Sequence, residues 1–326
     1  MMKNDADWKK HLLASDAALE FMVSRTLVEA GLSTNANMFT SGLKDDDRSI
    51  PIDGVGFAPL GNPNVITAEV SLHIDCQMRG DTARWLFFQD TNPPDFSEYT
   101  LGTTIRSIDE FSVSSLACNS TCEFEQSAIL ADHGVELGAA SGDASGELID
   151  KFLRRLQFSL PQLLTRCVNA AAYASVNPPL PFFICPILVT NSPLYVASSE
   201  ISFESIQNSL KIEDIAEQVP YLVTRRSIDH IFEKHCAREF RENLQFDSEH
   251  LMQLESDKIK AGMRTGQAPS DIVESLIQGY KPLLDGYFSQ YVVCNFEHLP
   301  LLLNDIKHVI SSAMDDHEQK AIMNLR

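Results

Sequence analysis

The sequence predicts an α/β fold in which a mixed central sheet is flanked by helices, followed by a mainly helical C-terminal extension. Two short apolar segments joined by the turn-rich residues 59–64 indicate a β-hairpin in the N-terminal third. A long segment from Glu147 carries apolar residues at helical spacing, which supplies a cover for a sheet. The most hydrophobic run, residues 182–190, is typical of a strand buried on both faces.

The first predicted helix follows Ser15, which is a suitable N-cap residue, and ends at Gly31. Asp16 lies near its positive end, where an acidic side chain is favourable. Its apolar residues recur at helical spacing and predict one buried face: Leu19, Met22, Val23, Leu27 and Ala30. Glu20 is expected at the edge of that face.

The strands of the hairpin contain Asp53 and Asp75, and a third strand, residues 84–89, is predicted after the turn at Gly80-Asp81. Residues 90–110 contain little periodicity and are predicted to be a loop. Residues 111–117 and 122–130 are predicted to be two short strands, or one strand and an irregular segment.

Pro161 is expected to kink or split the long helix that begins at Glu147. Further strands are predicted at 194–196 and 221–224. An amphipathic helix capped by Ser227 is predicted over 228–243.

The chain has 326 residues, more than a single core usually holds, which predicts two parts. Residues 1–245 are predicted to form the α/β domain, and residues 246–326 a helical accessory region. The last helix, 299–314, has an apolar stripe, so this region is expected to contact a protein partner or to self-associate. The stripe could equally cover the core of the chain itself.

The composition restricts the classes of partner. There are 45 acidic residues against 26 Lys and Arg, a net charge of -19, which opposes binding to nucleic acid, so any DNA contact must be local. Seven cysteines, an odd number, favour free thiols in a reducing compartment. No signal peptide and no apolar run of membrane-spanning length are recognised, which predicts a cytoplasmic protein without a membrane contact.

Polar residues that could carry chemistry alternate along the second hairpin strand. Alternation points Asp75, Gln77 and Arg79 to one face. Asp53 lies 22 residues upstream on the neighbouring strand, so the two carboxylates are expected within reach of one metal ion. Glu69 is also odd-numbered and is therefore expected on the same face of the strand as Asp75.

The run Asp75-Cys76-Gln77-Met78-Arg79, followed by Trp85-Leu86-Phe87-Phe88, resembles the second motif of the PD-(D/E)xK, or restriction-endonuclease-like, nuclease superfamily, in members where that motif reads Glu-Cys-Lys. The resemblance implies a restriction-endonuclease-like sheet over roughly residues 12–245. It also implies Mg²⁺ (or Mn²⁺) held by Asp53 and Asp75, with the acid of the first helix, Glu20, assisting; Glu69 is the rival ligand. The lysine of the family is replaced by Gln77.

Neutral Gln77 can orient a water molecule or the phosphate by hydrogen bonding, but it cannot supply a positive charge. The catalytic set implied by the resemblance is therefore Asp53, Asp75 and Gln77. Candidate phosphate ligands are Arg79 and a helical glutamine, Gln157 in preference to Gln162. Two basic pairs, residues 154–155 and 225–226, would contact phosphate if they converged on one face.

The function that the resemblance implies is a Mg²⁺-dependent endonuclease acting on DNA, in defence or mobile-element biology. The first alternative is a catalytically inactive nuclease fold that serves as a binding or assembly module, which Gln77 and the net charge favour. A second alternative is an acidic interaction protein in which the motif is fortuitous. A zinc site of Cys118, Cys122 and His133 would lack a fourth ligand at regular spacing.

Overall fold

The structure is a computed structural model that describes residues 7–13, 15–40, 49–59, 66–89, 101–107, 129–138, 146–173, 182–245 and 269–324, and the single positions 249, 253 and 256. The strands in this part of the chain are β1 (Ser33–Thr40), β2 (Ser49–Pro59), β3 (Ile66–Gln77), β4 (Arg84–Gln89), β5 (Arg106–Ser107), β6 (Ile129–Leu137), β7 (Phe182–Thr190), β8 (Leu194–Ala197), β9 (Ala216–Val219), β10 (Tyr221–Arg225) and β11 (Gln290–Asn295). The helices are α1 (Asp7–Leu13), α2 (Asp16–Glu29), α3 (Leu101–Thr104), α4 (Gly146–Tyr173), α5 (Phe203–Asn208), α6 (His230–Asn243), α7 (Pro269–Gln278), α8 (Lys281–Phe288) and α9 (Leu299–Asn324).

All the described strands belong to one mixed sheet. Its order is β1-β2-β3-β7-β11-β10-β6-β4-β8-β9, and β5 pairs with β7 off this path. β1, β2 and β3 form an antiparallel meander, whereas β3, β7 and β11 run parallel to one another. The predicted α/β class, with a mixed sheet between helices, is confirmed.

The two faces of the sheet are covered by different helices. Alternate residues of β7 and β11 enter different cores: Ile184, Leu188 and Tyr291 pack with α4, α6 and α8, whereas Ile187 and Val292 pack with α2 and α9. β3 is asymmetric, because its even-numbered residues from 70 to 76 are apolar and join the core under α2 and α9. Its odd-numbered side chains from 71 to 77 therefore point to the opposite face, toward α4.

The predicted N-terminal elements are found with one change at the helix start. α2 runs between Ser15 and Gly31, whose φ of 87° lies in the left-handed region that glycine adopts easily. The Ser15 hydroxyl does not cap α2, because it donates to the carbonyl oxygen of Leu12 at 2.9 Å. The hairpin is confirmed, and Asp53 on β2 is the cross-strand partner of His73 on β3.

The long helix is not split at proline. α4 continues from Gly146 through Pro161 to Tyr173, and the Thr165 hydroxyl donates to the Pro161 carbonyl oxygen at 2.7 Å. Extensive burial along α4 stabilises the helix across the missing backbone donor, with Leu156, Leu160 and Leu164 all in the core. The predicted loop over 90–110 also needs correction, because α3 and β5 lie within it.

The C-terminal region does not stand apart from the predicted nuclease-like domain. β11 lies between β7 and β10 in the middle of the sheet, and α9 covers the face next to α2. The boundary predicted at residue 245 therefore crosses a shared core. β11 has only six residues, and all of their side chains are buried. It therefore lacks the alternation of polar and apolar residues that would identify a strand in the sequence.

No helix in the described ranges has the length and hydrophobicity of a membrane span.

Gly134→Ala is expected to destabilise the fold. Gly134 lies opposite Phe87 across the β4–β6 pair, and a Cβ atom there would lie 2.6 Å from Cε1 of that buried ring. Overpacking of this kind costs about 1–3 kcal/mol in the free energy of unfolding, measurable by urea denaturation. Gly80→Ala is the control, since a Cβ atom at Gly80 meets nothing within 4 Å. Equal stability of the two variants would contradict the packing.

Candidate functional site

The face of β3 toward α4 carries a continuous row of buried polar side chains. Ser71, His73, Asp75 and Gln77 have exposed fractions of 1%, 0%, 0% and 3%. Buried polar groups are tolerated only when they are hydrogen-bonded, so this row requires partners from the covering helix.

α4 supplies the partners of Asp75 and His73 from residues one turn apart. The Arg155 Nε atom donates to Asp75 Oδ2 at 2.9 Å, and Arg155 Nη2 donates to Asp75 Oδ1. Four residues later, the Ser159 hydroxyl lies 2.6 Å from His73 Nε2, and it donates to the Leu156 carbonyl oxygen. The result is a buried bidentate ion pair beside a buried serine–histidine hydrogen bond.

Gln77 completes the surroundings of the Asp75 carboxylate. Its Nε2 atom donates to Asp75 Oδ1 at 3.1 Å, so both carboxylate oxygens accept hydrogen bonds. Burial raises the pKa of Asp75 to about 6, while the charge and hydrogen bonds of Arg155 and the hydrogen bond of Gln77 oppose the rise. Asp75 is therefore mainly ionised and paired at neutral pH. Burial also lowers the pKa of His73 to about 3, which keeps the imidazole neutral.

A second ion pair lies close to the first. Arg79 donates from Nε and Nη2 to the two carboxylate oxygens of Glu136 at 2.6 and 2.7 Å, and Trp85 Nε1 donates to Glu136 Oε2 at 2.9 Å. Desolvation would raise the pKa of Glu136, but the hydrogen bonds from Arg79 and Trp85 and the Arg79 charge outweigh it and lower the pKa. Arg79 lies beyond the end of β3, where its backbone exchanges hydrogen bonds with the Asn191 side chain.

Phe152 of α4 connects the two ion pairs. The guanidinium carbons of Arg79 and Arg155 lie 5.8 and 5.9 Å from the centre of its ring. Trp85 stacks on the same ring with a centroid distance of 6.2 Å. We call Asp75, Gln77, Arg155, Phe152, Arg79 and Glu136 the paired-arginine cluster.

Two acidic residues of α2 border this cluster. Asp16 accepts a hydrogen bond from the backbone N–H of Met78 at 2.7 Å. The pKa of Glu20 is raised by its partial burial and by the charge of Asp16, and the charge of Arg155 opposes this. Glu20, predicted as an assisting metal ligand, thus lies at the same end of β3 as Asp75, but on the helix that covers the other face.

Two predicted metal ligands, Asp53 and Asp75, lie on the neighbouring strands β2 and β3. Asp53 lies opposite His73, and cross-strand partners share a face, so its position falls on the Asp75 face of the sheet. The side chains of Asp53 and Glu69 lie outside the part of the chain that is described. Among the described residues, no group of three or more His, Cys, Asp and Glu side chains is arranged to hold a metal ion.

Gln157, a predicted phosphate ligand, contacts Arg226 of the second basic pair. Gln157 is buried, donates to the Phe288 carbonyl oxygen at 3.2 Å and accepts from Arg226 Nε at 3.0 Å. Within the first basic pair, Arg155 faces β3, whereas Arg154 lies 3.7 Å from Asp229 of the α6 cap.

The suggested zinc ligands Cys118 and Cys122 lie outside the described residues. His133 stacks on Phe88 with a centroid distance of 5.0 Å.

Sequence reasoning did not anticipate the roles of Arg155, Ser159 and His73. A signal was present, because positions 155, 159 and 166 recur at helical spacing as polar residues within an apolar helix. The charge of Arg166 acts on His73, consistent with the same stripe facing β3. A polar stripe on α4 and a polar row on β3 together predict a buried polar interface.

Arg155→Met is expected to lower the free energy of unfolding by about 3–5 kcal/mol, because it leaves the buried Asp75 carboxylate without its cation. The double variant Asp75→Asn/Arg155→Met removes both charges and is expected to recover most of that loss. Urea denaturation of the two variants and the parent chain tests the coupling. A double variant less stable than Arg155→Met would contradict the buried pair.

The pKa of Asp75 also predicts a pH effect. Its value of about 6 in the folded chain exceeds the ordinary value of 3.8, so the folded state retains this proton over a range where the unfolded state has lost it. The contribution of Asp75 to stability is fully present below pH 3.8, and it is lost as pH rises through about 6. Relative to Asp75→Asn/Arg155→Met, the parent chain should lose stability across this window in urea titrations. A pH-independent difference would contradict the shift.

Comparisons with known proteins identify no relative for this arrangement. The chain matches no protein-family model, no curated protein and no solved structure.

Proposed function

We propose that this chain is a non-catalytic relative of the PD-(D/E)xK nucleases, in which a restriction-endonuclease-like fold serves as a binding or assembly module. The observation that carries the proposal is the environment of Asp75. The acid of the second motif is inaccessible to solvent, and both of its oxygens are hydrogen-bonded by Arg155 and Gln77.

Metal binding by Asp75 would require a rearrangement of this environment. Mg²⁺ takes oxygen ligands at about 2.0–2.1 Å and retains several waters, so it needs an open carboxylate. Separating Asp75 from Arg155 would leave a buried charge unpaired, which costs about 3–5 kcal/mol. The free energy of metal binding would have to offset that cost before any catalysis.

Gln77 supports the same conclusion. The lysine of the family provides a positive charge where charge develops on the phosphate, whereas the Gln77 amide donates to Asp75 and lies buried. Arginines that could replace the missing cation are already paired, since Arg79 binds Glu136 and Arg226 contacts Asp150. The net charge of -19 adds a general repulsion of nucleic acid.

The order of elements supports the restriction-endonuclease-like part of the proposal. A helix, α2, precedes the β1–β2–β3 meander, and α4 leads into β7. β7 ends in Val189-Thr190 and pairs with β3, with Thr190 beside Gln77. The resemblance implies a strand with this Val-Thr ending in the same sheet as the motif strand.

The second candidate function is a Mg²⁺-dependent endonuclease acting on DNA. It is favoured by the β2–β3 pairing, which puts Asp53 one strand from Asp75, and by the position of Glu20 near the same end. In that case Asp75 would have to leave Arg155 when metal and DNA bind.

Calorimetry with Mg²⁺ and Mn²⁺, together with a cleavage assay on double- and single-stranded DNA, distinguishes the two functions. The proposal expects no metal binding that depends on Asp53 or Asp75 and no cleavage. Asp53→Ala and Asp75→Ala are the controls, because activity from a contaminating nuclease would survive both substitutions. Cleavage lost in either variant would overturn the proposal and establish the second candidate.

Gln77→Lys provides a sharper prediction. The proposal expects no gain of cleavage and a loss of at least about 2 kcal/mol in the free energy of unfolding, because a second cation is buried beside Arg155. Gln89→Lys, at an exposed position, is the matched control for the added charge. The endonuclease alternative expects the opposite result in the cleavage assay, a metal-dependent gain that disappears when Asp53→Ala is added.

A further inference from the structure

Two apolar surfaces are exposed on the described part of the chain at widely separated places. The α5 surface consists of Phe203, Ile206 and Leu210, with exposed fractions of 88%, 47% and 98%. The α1 surface consists of Trp8, Leu12 and Leu13, with exposed fractions of 57%, 47% and 63%. Exposed apolar side chains that are grouped in this way are typical of interaction sites.

The α5 surface is held in a defined conformation. Ser202 and Ser205 form a reciprocal capping box at the start of α5. The Asp214 carboxylate accepts hydrogen bonds from the backbone N–H groups of Leu210 and Lys211 at 3.0 and 3.2 Å. The exposure of Leu210 is therefore fixed by local hydrogen bonds.

The α5 surface is also strongly acidic. Between residues 198 and 219 there are five acidic residues and one lysine, Lys211, a net charge of -4. All five acids are exposed: Glu200, Glu204, Glu213, Asp214 and Glu217. An occupant of this surface should combine apolar side chains with positive charge.

The α1 surface has that combination. Lys9 lies 5.6 Å from the centre of the Trp8 ring, and both side chains are exposed. The sequence of α1, Asp-Trp-Lys-Lys-His-Leu-Leu, has two lysines and one acid. Tryptophan is among the residues that contribute most to binding energy at protein interfaces.

The two surfaces lie at opposite ends of the sheet. α1 contacts α2, and α2 packs against β1, β2 and β3 at one end of the strand order. The α5 surface follows β8 and precedes β9, the terminal strand at the other end. With neighbouring strands about 4.8 Å apart, the ten-strand path separates these ends by roughly 40 Å along the sheet. The α1 surface of one chain is therefore positioned to reach the α5 surface of another chain, not its own.

We infer that this protein self-associates head to tail, with the α1 surface of one copy bound to the α5 surface of the next. This inference specifies the contact of the proposed assembly function and rests on it. A contact between two α5 surfaces is disfavoured, because it would bring like charges together. A heterologous contact leaves one surface of each type free at the ends, so it builds open chains unless the rotation closes a ring.

The expected association is weak. One helix of seven residues buries far less than the roughly 1,600 Å² of a standard interface, which is typical of a weak contact. The average mass should therefore rise with concentration.

Sedimentation velocity of the full chain from about 1 to about 200 µM tests the inference, using one variant for each surface. Phe203→Ser/Leu210→Ser removes the α5 anchors and retains α1, whereas Trp8→Ser/Leu12→Ser does the reverse. Each variant alone should remain monomeric. Their equimolar mixture should form a 1:1 dimer and nothing larger, because only one complementary pair of surfaces remains.

Ile231→Ser/Tyr280→Ser is the matched control, since it removes exposed apolar side chains elsewhere, 61% and 57% exposed, and should associate like the parent chain. Unchanged urea midpoints of all three variants show that folding is intact.

Three outcomes would each overturn the inference. They are a parent chain that is monomeric at all concentrations, a surface variant that still associates alone, and a mixture of the two surface variants that stays monomeric. Metal calorimetry and cleavage are independent of all three results, so failure of this contact is distinguishable from failure of the proposed function.

Discussion

The buried ion pair between Asp75 and Arg155 is the constraint on which the rest of the structure depends. An ionised carboxylate without solvent is tolerated only beside a cation with matched geometry, and the bidentate guanidinium provides one. The pair fixes the rotation of α4 over β3, because Ser159, one turn later, then meets His73. A one-residue register change in β3 would turn these polar groups into the apolar core under α2.

The paired-arginine cluster extends this constraint across the sheet. Arg79 follows β3, whereas Glu136 and Trp85 belong to β6 and β4, which are not neighbours of β3 in the strand order. Phe152 of α4 contacts both guanidinium groups, so one aromatic ring holds two ion pairs. The helix, the N-terminal meander and the distant strands are thus joined by charge pairing as well as by apolar packing.

The ion pairs of the paired-arginine cluster also limit the chemistry that is available at Asp75. Metal-dependent cleavage needs carboxylates open to metal and a cation near the phosphate, whereas here Asp75 is paired with Arg155, and Arg79 with Glu136. Around α5, by contrast, five acidic residues are exposed close in sequence to the exposed side chains of Phe203 and Leu210. The described part of the chain therefore pairs the charges around Asp75 internally and exposes acidic and apolar side chains around α5.

The sequence by itself determined the class of fold, the hairpin carrying Asp53 and Asp75, and the helix around Glu20, because short-range periodicity, turn residues and capping residues encode them. It did not determine that Arg155 pairs with Asp75 or that β11 enters the centre of the sheet. Those contacts join residues 80 and more than 100 positions apart, and a uniformly buried strand has no alternation to reveal its neighbours. Whether a carboxylate is an open ligand or one half of an ion pair is decided by what packs against it, and only the tertiary structure supplies that.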